Sequence, residues 1–148
     1  MPRYVNQPES HACGPTVVLN ALKWAGLPAT LKHDFDNIAT LCDYEQNEGS
    51  PEHSIDRSLR DLLKGAAKVR KPRFAMIWDI EEHLEKGGAC VLTVTDWSDA
   101  HVFLVTGKRG KLFITHNYNH NKNTTLLREC TLQEQLDQRG VWMLTKEN

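Results

Sequence analysis

The sequence predicts an α+β fold, on three observations. Apolar residues recur at helical spacing through the first half of the chain. From Ala89 onward the pattern changes to short runs rich in β-branched and aromatic residues. The links between these runs are short enough for hairpins, which argues against a doubly wound parallel sheet and for N-terminal helices packed on a C-terminal antiparallel sheet.

The elements follow in order. In CGPTVVLNALKWAG, Pro15 suits the first turn of a helix, where a missing N–H costs nothing. Val18, Leu22 and Ala25 follow at helical spacing, and Gly26 with Pro28 ends the run. Leu31, Phe35, Ile38 and Cys42 predict a second helix. Ser54 is a candidate cap for a third, running through Ile55, Leu59, Leu62, Leu63 and Ala66. Phe74 to Ile77 reads as a short strand, and Asp79 with Glu82 as a capping box for a helix closed by Gly87 and Gly88. Strands are expected at Ala89 to Thr95, His101 to Gly107 and Lys111 to Asn117, the last two joined by a turn at KRGK. Thr131 and Glu134 suggest another capped helix, ending at Gly140, and VWMLT reads as a closing strand.

With 148 residues and 40% hydrophobic content, the chain suits one compact domain over residues 1–148. A net charge of -1 gives no electrostatic reason to expect nucleic acid or a membrane as partner. No apolar run approaches a membrane span, and the first ten residues lack the apolar core of a signal peptide, so a cytoplasmic location is expected. Cys42 and Cys90 read as buried small hydrophobes, and Cys130 as half-exposed.

Cys13 differs in its surroundings. It lies where an irregular segment meets the first helix, and the helix dipole and unpaired N–H groups there favour a thiolate. His101 opens a strand just after the polar turn DWSDA, a rigid mount for a basic imidazole. Asn117 ends the next strand, so the hairpin sets it beside His101, where its side-chain amide can accept the second ring N–H. Gln7, six residues before Cys13, can join the Cys13 N–H as an oxyanion hole.

Taken together, NQPESHACGPTVVLNAL and AHVFLVTGKRGKLFITHNYN resemble the nucleophile and histidine blocks of papain-like cysteine peptidases. The likeness is strongest to the bacteriocin-processing group, peptidase family C39, and its standalone relatives. A weaker likeness of the Cys block is to phytochelatin synthases. The resemblance implies a papain-like fold, Cys13 as nucleophile, His101 as base, Asn117 as the orienting residue and Gln7 in the oxyanion hole. That family usually carries Asp at the third position, where this chain has Asn117, as papain-type enzymes do.

The chemistry expected is acyl transfer on a peptide or protein substrate, beginning from a Cys13–His101 ion pair and passing through a Cys13 thioester. Cleavage of a peptide or isopeptide bond is the first expectation. Deamidation or transpeptidation by the same triad, and a non-enzymatic binding or inhibitor module, are the alternatives. No cofactor or metal is implied: His116 and His120 are four apart but read as members of a solvated Asn-rich loop. Glu45 to His53, Asp96 to Asp99 and Tyr118 to Asn123 are candidate groove walls. Asp96 and Asp99 are also alternatives to Asn117 as orienter, though a turn rich in Asp explains them. His11 reads as an exposed loop histidine, and Lys68, Arg70, Lys71 and Arg73 as a solvated basic face.

Overall fold

The computed structural model describes residues 2–95, 99–119 and 121–147. Helices α1 (Cys13–Trp24), α2 (Leu31–Leu41) and α3 (Glu52–Leu63) come first, followed by β1 (Ala67–Arg70) and α4 (Ile77–Glu85). Then come β2 (Ala89–Thr95), β3 (Ala100–Arg109), β4 (Leu112–Asn119), β5 (Lys122–Arg128), α5 (Glu129–Gln135) and β6 (Leu136–Lys146). The six strands form one antiparallel sheet in the order β1-β6-β2-β3-β4-β5. No described helix is long and apolar enough to cross a membrane.

Strand alternation divides the core into two layers. Ala89, Val91, Val102, Leu104, Trp142 and Leu144 point toward α1, α2 and α3, where they meet Val17, Val18, Leu22, Ile38 and Leu59. Their neighbours Cys90, Leu92, Val94, Phe103, Val105 and Met143 face the other way, onto Ile80 and Leu84 of α4 and Leu132 of α5. Each large side chain removed from water here contributes roughly 1.5–3 kcal/mol. The sheet is therefore a slab fixed on both sides, and its rims are where irregular backbone can be carried.

Helix α1 is held more firmly than any surface helix would be, with ten of its residues buried. Its C-terminus closes as a Schellman motif: Gly26 (φ 85°) lets its N–H reach the Lys23 carbonyl, and the Leu27 N–H reaches that of Leu22. Its N-terminus has no side-chain cap.

Several expectations need correction. Helix α3 begins at Glu52 with Pro51 as its N-cap, so Ser54 lies inside it, donating to Asp43. Phe74 to Met76 is not a strand; the strand of that region is β1, which lies beyond the turn at Gly65 and pairs with β6. Asp79 is the third residue of α4 and reaches back to the Met76 N–H, so the box is Met76–Asp79 and not Asp79–Glu82. Helix α5 ends at Gln135 without a Thr131 cap, and the chain from Leu136 onward is the long strand β6. Finally, β4 and β5 form a hairpin across the stretch read as a loop.

Candidate active site

The missing cap on α1 leaves the first-turn N–H groups of Cys13 and Gly14 without a partner in the helix. Both lean on the Cys13 sulfur, as does the N–H of Val102 in β3, and all three draw the thiol's pKa down. Burial acts in the opposite sense and is the larger effect, with Asp99 adding to it, so the thiol lies above its ordinary value. Sequence reasoning expected the helix start to favour the thiolate; the N–H groups do act that way, and desolvation outweighs them. Burial thus works against the thiolate at this position, and the N–H groups of the helix start work for it.

His101 is the residue before Val102, so the main chain that touches the sulfur also carries the imidazole. Its ring stacks on Phe103, with centroids 5.8 Å apart. His101 Nε2 lies 2.6 Å from the main-chain carbonyl of Asn117. A carbonyl only accepts, so Nε2 is the donor in this contact.

That contact departs from the expectation for Asn117. Strand β3 pairs Leu104 with His116, so by continuation Asn117 falls opposite Phe103 and not opposite His101. The pairing of β4 with β5 slips between His116 and Asn119, and Asn117 sits in this bulge with φ 67°. Asn is among the few residues that tolerate the left-handed region. The bulge turns the Asn117 carbonyl to His101 and frees the side chain for another task. Asn117 Oδ1 accepts from the Gln7 N–H at 2.9 Å, and Nδ2 donates to Gln7 Oε1 at 3.0 Å.

Gln7 is thus tied to β4 across 110 residues of sequence. Two further clasps hold the segment that carries it. The buried Asn20 of α1 bonds both the N–H and the carbonyl of Val5, each at 3.0 Å. Tyr4 stacks on His116 with ring centroids 3.9 Å apart. His116 is not in a solvated loop: it is buried on β4, bonded through Thr106 and Thr124 hydroxyls, and burial pushes its pKa down to about 4. Asn20, Tyr4 and His116 were missed as members of the site's frame. An amide on a buried helix face was the one signal that could have found Asn20.

A pocket of about 590 Å³ opens at this rim, and Gln7, Cys13 and His101 all line it. Ser10, His11, Asp99, Tyr118, Asn119 and Gln135 also line it. Tyr118 and Gln135 are bonded to each other at 2.9 Å, which joins the hairpin to α5. The segment before Cys13 is braced from outside by Tyr44, whose hydroxyl donates to the Ser10 carbonyl, and by Ser50, which packs on Gly14. So part of the Glu45 to His53 stretch supports the site from behind. Asp96, Trp97 and His120 lie outside the described residues. Among the described residues, no group of three or more His, Cys, Asp or Glu is placed to hold a metal. Cys42 and Cys90 are buried and Cys130 is exposed.

No family model matches the chain, and no curated protein matches it in sequence. Solved structures do. The peptidase domain of Streptococcus ComA, a bifunctional ABC transporter involved in quorum sensing, superposes with a TM-score of 0.77 over 99% of this chain and 100% of that one, at 14% identity. A double-glycine-motif protease from an AMS/PCAT transporter, solved in complex with its leader peptide, matches with a TM-score of 0.68 over 100% and 93% of the two chains, at 15% identity. The peptidase domain of Streptococcus mutans ComA matches with a TM-score of 0.60, also at 15% identity. The chain has the papain-like fold of these C39-type peptidase domains, helices on an antiparallel sheet.

Proposed function

We propose that this protein is a cysteine peptidase that cleaves a peptide substrate through a thioester on Cys13. The observation that carries the proposal is the convergence of Cys13, His101 and Gln7 on one pocket, with the Cys13 sulfur held by the N–H of the residue after His101.

Each group has a step. His101 takes the Cys13 proton, and the sulfur attacks the scissile carbonyl. The N–H of Cys13 and the Nε2–H of Gln7 take the charge that forms on the carbonyl oxygen. The intermediate collapses, the C–N bond breaks, and the proton on His101 passes to the leaving amine. Water, deprotonated by His101, then attacks the thioester; the acid product leaves and the proton returns to sulfur. Asn117 holds His101 through its carbonyl during both halves.

The leader-peptide complex of the double-glycine protease points to the substrate class, a peptide with small residues ahead of the scissile bond. Cys13 is only partly exposed where it lines the pocket, which fits this, because a bulky side chain next to the scissile carbonyl would hold that carbonyl off the sulfur. The test is incubation with synthetic peptides carrying Gly-Gly before the cut, read by mass spectrometry. Cleavage after Gly-Gly that disappears in Cys13→Ala and His101→Ala is expected. Equal cleavage by Cys13→Ala would overturn the proposal.

A further inference from the structure

We infer that the Asn117 side chain is a positioning group for Gln7 and not for His101, and that it sets which way the Gln7 amide faces. The inference rests on the proposed peptidase reading of the site and deepens it.

The orientation of both amides follows from two main-chain groups that cannot be exchanged for their opposites. At one end the Gln7 N–H can only donate, so the Asn117 atom 2.9 Å away is Oδ1. The other Asn117 terminal atom is then Nδ2, a donor, and the Gln7 atom 3.0 Å from it must be the acceptor Oε1. That leaves Nε2 as the second Gln7 terminus. It faces the Glu9 carbonyl at 3.0 Å, which can only accept, and the chain of bonds closes without conflict. Nε2 carries two hydrogens, so one is spent on Glu9 and the other is available to the pocket that Gln7 lines. Asn117 itself is buried, so its end of these bonds is shielded from bulk water.

An aspartate at 117 would break this chain. One carboxylate oxygen could keep the Gln7 N–H, but the other would face Gln7 Oε1, acceptor against acceptor. Relief requires the Gln7 amide to turn over, bringing Nε2 to the carboxylate and Oε1 to the Glu9 carbonyl and the pocket. The oxyanion donor would then be replaced by an acceptor. Asn at this position, where the resembled family usually has Asp, is thus matched to Gln7. His101 is served by the main-chain carbonyl, which any residue at 117 retains.

The test uses the full chain and an activated ester, p-nitrophenyl acetate, as acyl donor. Sulfur attacks the acetyl carbonyl, nitrophenolate leaves, and acetyl-Cys13 forms. Asn117→Gly keeps the left-handed backbone and the carbonyl on His101 while deleting the side chain. Asn117→Gly and Asn117→Asp are each expected to slow acylation as much as Gln7→Ala does, on the order of a hundredfold. The variants Asn117→Gly/Gln7→Ala and Asn117→Asp/Gln7→Ala are expected to be no slower than Gln7→Ala alone, with the pH midpoint of acylation unmoved in Asn117→Gly. Losses that multiply, or a shifted midpoint in Asn117→Gly, would mean that the side chain acts on His101 and would overturn the inference. Independently of activity, the Asn117 side-chain NH₂ protons should be protected from solvent exchange and lose that protection in Gln7→Ala. Unprotected amide protons in the unaltered protein would also overturn it. Undiminished nitrophenolate release by Cys13→Ala would instead strike the peptidase reading beneath it.

Discussion

His101 Nε2 is held by the main-chain carbonyl of Asn117, 2.6 Å away, and the Asn117 side chain is turned to Gln7 instead. This division of one residue between two partners depends on a left-handed backbone at 117. A β-branched residue pays most in that region, roughly 1–2 kcal/mol for the backbone alone, and Gly pays least. Asn117→Val is therefore expected to unfold at lower urea than Asn117→Gly, by about that free energy or more. Equal midpoints for the two variants would show that the backbone at 117 is not strained.

The resting state of the thiol gives a second expectation. Burial holds the Cys13 thiol above its ordinary value, and Asp99 adds to it. The iodoacetamide rate at Cys13 should rise with pH on a curve displaced to the alkaline side of a free cysteine's. At neutral pH the exposed Cys130 should label first. Peptide mapping of the labelled protein checks both. A Cys13 curve already flat at neutral pH would mean a preformed ion pair with His101.

His116 links the same frame to pH. It is buried against Tyr4, Thr106 and Thr124, and its folded pKa of about 4 lies below the unfolded value of 6.5. A depressed histidine contributes stability that is whole above the unfolded value and is lost as pH falls, because the unfolded chain takes up the proton first. The window is thus about pH 6.5 down to 4, and the shift corresponds to roughly 3 kcal/mol. Urea unfolding across that window should show this loss in the unaltered protein and a flatter profile in His116→Gln. Parallel profiles would contradict it.

Much of this frame was legible in the residues, and the illegible parts have physical causes. Pro15 and Gly26 mark the two ends of α1 through backbone rules that hold in any context, and β2 and β3 are buried enough to show their composition. By contrast β5 is an edge strand with mostly exposed residues, so KNTTLLR carries no apolar alternation to announce a strand. The His101–Asn117 relationship was placed by a regular hairpin, whereas shifts in the β3–β4 and β4–β5 pairings move the register. Bulges leave little trace in a single sequence. The Val102 N–H on the Cys13 sulfur is a main-chain contact, which no residue type announces.

Behind the nucleophile, Gly14 has no room for a side chain. A Cβ there would stand 2.8 Å from both Cβ and Oγ of Ser50. Gly14→Ala should destabilise the protein by about 1–3 kcal/mol and slow acylation of Cys13, because the overpacking pushes on the first turn of α1. Adding Ser50→Gly should recover most of both losses. Failure of the double variant to recover either would mean that the loop and the helix start are not in contact.

The central claim is that Cys13 carries the acyl group. Its most direct test is acid quenching of a reaction with a Gly-Gly peptide, followed by intact-mass analysis and mapping of the adduct. The expected result is a thioester of the N-terminal peptide fragment on Cys13, absent from His101→Ala. Peptide cleavage that proceeds with no adduct at Cys13, or with an adduct on another residue, would contradict it.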